Sequence, residues 1–468
     1  MEKSVTMVKR ESQPTMALAQ FISGLQYEDI PIPCLKLAKA VFLDSIGCGL
    51  YGYTLPWGRM VTDWVVEQGG RPEATLWLTG FKGPAANAAL AMGTMIHSFD
   101  FDDYHHSKLH PGAAVVPAIL AMGERQGSQG QELLTALVAG YETMIRVSLG
   151  TGPGPSRMKG WHLTGTCGTF GAAAAAAKLL GLDAAHTASA LGLAGTQSAG
   201  LWAFIADGSQ SKRLHPGRAA QSGIMAAMLA QKGYPGPTKI LEAEDGGFCS
   251  ATSDDYDLEQ ITNGLGETFE TAGVTIKPYS ACGSLHSAID AARALMTKHN
   301  IAPHDIQKVI LRTSHVIVTQ CGFPYQPLSI LQAQMSAQYT LAVAIQEGNA
   351  LPDQYSPDKI GDPQILDLAH RVEITVDPEI DRVYPGLFAN KVEILLRNGR
   401  SHLMRVDYPM GSTENPMTET EIEAKFRSLA GKVIDDHKAS RVVQIANALE
   451  DLKGITPLME MIALGNKI

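Results

Sequence analysis

Six consecutive alanines, Ala172 to Ala177, follow Gly171 and run into Lys178 and two leucines. Alanine has the highest helix propensity and carries no side-chain chemistry, so the run reads as a helix rather than as low-complexity coil. Side chains this small let neighbouring helix axes come close together, a property that matters only inside a protein. The segments Ala85 to Phe99 and Ala219 to Gln231 use Ala, Gly, Met and Leu in the same way. They are the expected partners of the alanine helix in a buried bundle.

Helical patterning extends from Thr15 to about Ala272. Pro33 to Asp44 repeats its apolar positions near period 3.6, with Pro31 or Pro33 suited to a first helical turn. After about Gly273 the texture changes to alternating segments at Lys308 to Ser314, Arg371 to Asp377, Lys391 to Leu396 and Ser401 to Tyr408. Asn398-Gly399 lies between the last two and marks a hairpin whose central residues need positive φ, so an antiparallel sheet is expected. Helical patterning then returns with Thr418 to Glu421 as a capping box before Ile422 to Gly431, and again from about Ala439 to Leu452. The resulting fold class is mainly α with a smaller α+β domain. Residues 1–272 and 411–468 form an all-helical bundle domain, and residues 273–410 form an inserted lid domain with an antiparallel sheet.

A chain of 468 residues exceeds what one core usually supports, in keeping with two units. Its 45% hydrophobic and 18% charged content fits a globular protein rather than a disordered one. The net charge of −9, without a dense Lys/Arg run, argues against a nucleic-acid partner. Cys34, Cys48, Cys167, Cys249, Cys282 and Cys321 are scattered, so spacing indicates neither a zinc knuckle nor an iron–sulfur cluster. Met1 to Arg10 lacks the apolar core of a secretory leader, and no apolar run reaches the ~18 residues of a membrane span. A soluble intracellular protein is expected.

Proton-transfer groups are concentrated in one stretch. Between Ile96 and Pro111 stand Asp100, Asp102, Asp103, Tyr104 and the histidines His97, His105, His106 and His110. A metal site built on Asp100, His106 and His110 is one use of them, although the spacing matches neither HExxH nor a calcium loop. A solvated helix end with capping carboxylates is another. Three further groups lie far away in sequence: His162 after Gly160-Trp161, Lys212-Arg213 with His215, and Lys277-Pro-Tyr-Ser-Ala-Cys282. Lys212 and Arg213 follow a Gly-Ser-Gln-Ser turn and begin an apolar helix, which suits a small anion. Taken alone, however, a Lys-Arg pair is more often an exposed face, and His162 is equally readable as a satisfied core histidine. Cys282 reads as a nucleophile or a small buried thiol.

Taken together, these stretches resemble the MmgE/PrpD family, which includes 2-methylcitrate dehydratases, cis-aconitate decarboxylases and iminodisuccinate epimerases. The likeness covers nearly the whole chain. It rests on Leu43-Asp44-Ser-Ile-Gly-Cys, His97 to Asp103, Leu109-His110-Pro, Gly160-Trp161-His162, Ala172 to Leu182, Lys212-Arg213, Ile276-Lys277-Pro-Tyr and Gln334 to Tyr339. Asp-Asp-Tyr-His, Lys277 to Gly283 and Gln334-Met-Ser are most similar to the fungal cis-aconitate decarboxylase branch.

The resemblance implies a helical domain, a smaller α+β lid and a substrate pocket between them, in a cytoplasmic or organellar homodimer that needs no metal or other cofactor. It places Asp100, Tyr104, His110, His162, Lys212 and Lys277 at the active site. Two departures accompany it. Cys282 stands where the mammalian decarboxylase has histidine, and Tyr104 where it has a smaller hydroxyl residue.

Reactions of the family make negative charge on carbon beside an existing carboxylate. Lys212, Lys277 and Arg213, with Cys282 nearby, are then the substrate-binding groups, helped by protonated His110 or His162. Loss of one such cation should cost on the order of 3 kcal/mol of barrier, or ~100-fold in rate. His110 is the expected proton donor in a decarboxylation, with His162 second. In a dehydration Asp100 and Tyr104 would share the acid and base roles. An epimerase of a small dicarboxylate needs two proton carriers on opposite faces, and the residue types permit all three.

Overall fold

A computed structural model describes residues 13–465. The reading of Met1 to Arg10 lies outside the described residues. The alanine helix spans Leu163–Leu179 and is buried continuously from Leu163 to Ala177. It shows no apolar stripe because every side faces protein. Helices Gly130–Thr151 and Ser211–Gln231 pack against it most extensively. Small residues set their separation. A Cβ on Gly223 would lie 2.6 Å from both the Ala172 Cβ and the Ala173 amide nitrogen, and Gly140 and Gly171 would each bring a Cβ to 2.9 Å from the other's carbonyl oxygen.

Thr418 caps helix Glu419–Ala430 with the expected reciprocal box to Glu421. That helix packs on Ile32–Gly52, where Phe426 lies over Gly47. The C-terminal helices thus share one core with the segment from Leu18 to Ile276: Leu18, Phe42, Val138, Ile276, Phe426 and Val442 belong to a single buried cluster. A second cluster runs from Tyr279 to Leu396 and takes in Phe99 and Phe204. Lys277 sits where the chain passes from one cluster to the other.

The second core is built on four strands, Ile306–Thr313, Val372–Val376, Asn390–Leu396 and Ser401–Val406. Alternate residues of Asn390–Leu396 are buried, the period of a half-covered strand. The sheet is mixed rather than wholly antiparallel. Val372–Val376 lies at its edge parallel to Ile306–Thr313, with Val309 opposite Val372. The intervening segment contains helices Ile330–Met335, Ala337–Glu347 and Pro363–Ala369, long enough for the crossover that a parallel pair requires.

The Asn398-Gly399 hairpin is present, with one difference. Only Gly399 has positive φ, at 84°, and its amide donates to the Leu396 carbonyl at 3.0 Å. This is a type I turn closed by a left-handed glycine, and it leaves Asn398 to accept from the Arg400 amide at 3.0 Å.

Candidate active site

Helix Ala85–Ile96 ends at His97, and the chain then folds into the loop that carries most of the candidate groups. Asp100 adopts a left-handed backbone, φ 54°, a conformation that costs a non-glycine residue about 1 kcal/mol or more. The turn aims its carboxylate at two lysines from distant segments. Lys212, in the first turn of Ser211–Gln231, donates to Oδ2, and Lys277 donates to Oδ1. Lys277 also donates to the Asp100 carbonyl at 3.0 Å. Arg213 stands 3.8 Å from the same carboxylate, and its other nitrogen donates to Gln334 Oε1 at 2.7 Å.

Burial opposes ionisation of Asp100, but Lys212 and Lys277, with His110 and Arg213, outweigh it and hold the carboxyl well below its ordinary range. Asp100 is therefore a fixed anion. Three cations against one carboxylate leave the cluster positive, beside the positive end of the Ser211–Gln231 helix.

The imidazoles form a second layer. His97 Nδ1 donates to Asp102 Oδ2 at 2.8 Å. His110 Nδ1 donates to the Asp103 carbonyl at 2.8 Å and lies 3.6 Å from Asp102 Oδ2. Because a carbonyl only accepts, the neutral His110 ring carries its proton on Nδ1 and leaves Nε2 with the free lone pair. His97 packs edge-on to His110 at 4.7 Å and stacks with His162 at 5.9 Å, while His162 Nδ1 meets His215 Nδ1 at 2.9 Å.

Burial is the main reason that His97, His110 and His162 are held well below their ordinary pKa. Lys212 pushes each further the same way, against Asp102 in the case of His110. The protonated His110 or His162 expected from sequence is disfavoured in the free protein, where burial holds both rings toward the neutral form. Asp103 is the reverse case. Burial raises its carboxyl to about 8 although Tyr141 and the Gly112 amide donate to it.

His97, Asp102 and His110 offer three ligand-type atoms within 4.8 Å of one another. The 2.8 Å hydrogen bond between His97 and Asp102 already gives two of these residues a use. The metal set weighed from sequence does not gather in this way: His106 lines a separate groove with Gly273, Leu387 and Glu414.

One pocket is lined by Asp100, Tyr104, His110, His162, Lys212 and Cys282. Lys277 and Arg213 stand behind it and reach it through Asp100. The Tyr104 ring lies parallel to Phe388 at 5.9 Å, with the Lys277 ammonium 5.9 Å from its face, and burial pushes its hydroxyl up so that it stays a phenol. Cys282 accepts from Gln320 Nε2 at 3.1 Å. A hydrogen bond with Cys321, working against burial, lowers its thiol to about 6.

His97, Asp102, Gln334, Lys108 and Arg157 were absent from the predicted site. His97 and Gln334 stood within the family-like stretches, and Gln334 turns out to bridge Arg213 and the Phe99 carbonyl. Lys425, from the C-terminal helices, pairs with Asp44 at 2.6 Å and donates to the Phe101 carbonyl, anchoring the loop from below.

The MmgE/PrpD N-terminal domain matches residues 16–261 and the MmgE/PrpD C-terminal domain matches residues 279–451. The chain belongs to the MmgE/PrpD family. Among MmgE/PrpD relatives, a cis-aconitate decarboxylase-like protein of Aspergillus oryzae is 30% identical over 98% of this chain and 99% of its own length. The cis-aconitate decarboxylase of Aspergillus terreus is 30% identical over 97% of this chain and 96% of its own. The human cis-aconitate decarboxylase is 29% identical over 96% and 94%. Among the described residues of this MmgE/PrpD chain, no helix is long and apolar enough to cross a membrane.

Proposed function

We propose that the protein is a lyase that converts cis-aconitate to itaconate and carbon dioxide, with its own side chains as the only catalysts. The observation that carries this reading is the meeting of a net-positive Lys212–Lys277–Arg213 cluster with the free Nε2 of His110 at one pocket. The names of the relatives favour the decarboxylase over the dehydratase and epimerase alternatives.

The chemistry follows from charge. Loss of carbon dioxide breaks a carbon–carbon bond and leaves its electron pair in an allylic system conjugated with a remaining carboxylate. Lys212, oriented by Asp100, supplies fixed positive charge toward that carboxylate in a site shielded from water. Asp100 is thereby an orienting anion and not the acid or base that a dehydration would ask of it. His110 then delivers a proton to carbon. A neutral ring has none to give from Nε2, so the substrate's own negative charge must first raise its proton affinity. We further propose that residues 273–410 close over the pocket as a lid in a homodimer, in keeping with Lys277 at the crossing between the two cores.

The test is incubation of purified protein with cis-aconitate after chelation, following carbon dioxide and itaconate. Formation of both supports the reading. Loss of water from 2-methylcitrate with no itaconate from cis-aconitate would replace it with the dehydratase.

A further inference from the structure

Lys108 and Arg157 also line the pocket, and the proposed reaction gives neither a role. Among the described residues neither has a carboxylate partner. The Lys108 ammonium lies 4.7 Å over the Tyr384 ring, and the Arg157 guanidinium 3.8 Å over the Trp202 indole. Donors around them are orphaned as well: Arg157 Nε, Trp202 Nε1 and the Tyr384 hydroxyl are each buried without a hydrogen-bond partner. Unpaired buried donors are rare and costly, and three at one place point to a missing acceptor.

The Lys108 backbone adds a second sign. Its φ is 67°, in a turn closed by its own amide on the His105 carbonyl, where glycine would sit without strain. A lysine there carries backbone strain that a glycine would not.

Cys282 lines the same pocket and is within electrostatic reach of both positive regions: Asp100 and Lys277 act on its thiol, and it acts on Lys108 and Arg157. Even as a thiolate it balances only one of the two cations.

We propose that Lys108 and Arg157, with the Trp202 and Tyr384 donors, form a second anion subsite that binds a non-reacting carboxylate of the substrate. They are specificity residues that select an acid with a carboxylate remote from the reacting carbon. This deepens the polycarboxylate reading above and rests on it for the identity of the ligand, while its test does not depend on turnover.

The test is calorimetric binding of tricarballylate, an unreactive tricarboxylate, and of methylsuccinate, a dicarboxylate, to the full chain and to Lys108→Met and Arg157→Met. Each substitution should weaken tricarballylate about 10- to 100-fold and methylsuccinate less than about 3-fold. Arg157→Lys should recover part of the loss and guards against a folding artefact. Unchanged tricarballylate affinity in both Met variants, equal losses for the two acids, or no binding to the unaltered protein would overturn the subsite. Selective loss without turnover of any acid would sink the decarboxylase and leave the subsite standing.

Discussion

His110 and Asp103 are joined ring to backbone: the imidazole Nδ1 donates to the Asp103 carbonyl at 2.8 Å, which fixes the tautomer and leaves Nε2 as the nitrogen available for chemistry. Replacement of His110 by Gln keeps a polar side chain and removes the proton carrier. The expected result is a fall in kcat of about 100- to 10,000-fold with a much smaller change in KM, measured by steady-state itaconate formation. A variant retaining a tenth of the activity would remove His110 from the role.

Among the described residues, Asp100 is the one carboxylate shared by Lys212 and Lys277. Asp100→Asn strands two buried ammonium groups, and breaking a buried pair costs about 3–5 kcal/mol. Urea denaturation should show that loss, and adding Lys277→Met should return part of it through coupling between the two sites. Additive losses would mean that the pair does not interact.

Substrate binding should consume protons. His110 and His162 have folded pKa values pushed below the ordinary value of 6.5, so both are neutral at pH 7. A bound polyanion favours the imidazolium, so the complex holds more protons than its separated parts and binding tightens as the pH falls from about 8 to 6. Titration calorimetry in buffers of different ionisation enthalpy should report uptake of up to about one proton at pH 7. Zero uptake or net release contradicts the neutral ground state.

The close helix crossing at Gly223 gives a stability prediction with opposed terms. Alanine gains about 1 kcal/mol of helix propensity there, yet its Cβ would sit 2.6 Å from Ala172 and Ala173 atoms, an overlap that costs about 1–3 kcal/mol. Gly223→Ala should therefore lower Tm. Gly24→Ala, where nothing lies within 4 Å of the added carbon, is the control and should leave it unchanged or slightly higher.

The alanine helix, the Thr418 capping box and the hairpin were legible because each depends on local physics: propensity, a side chain reaching three residues on, a glycine in a turn. Lys212, Lys277 and the Asp100 to His110 stretch were legible as chemistry set in small, apolar surroundings. The parallel strand Val372–Val376 was not, because direction within a sheet is decided by the route of the intervening chain and not by the strand's own residues. Nor were Lys108 and Arg157. A lysine in a histidine-rich turn and an arginine in the short helix Pro153–Met158 look like solvated cations until the fold shows which carboxylates are missing from their surroundings.

The Asp100 cluster draws on positions 112 and 177 residues farther along, and Gln334, bound to Arg213, extends it deeper into the C-terminal half. Neither half inherits a working centre. A chain split between residues 261 and 277 would leave Asp100, Lys212 and Arg213 on the first piece and Lys277 and Gln334 on the second. Any lineage that separated the halves into two genes would have to keep making both together, because this chemistry belongs to the seam.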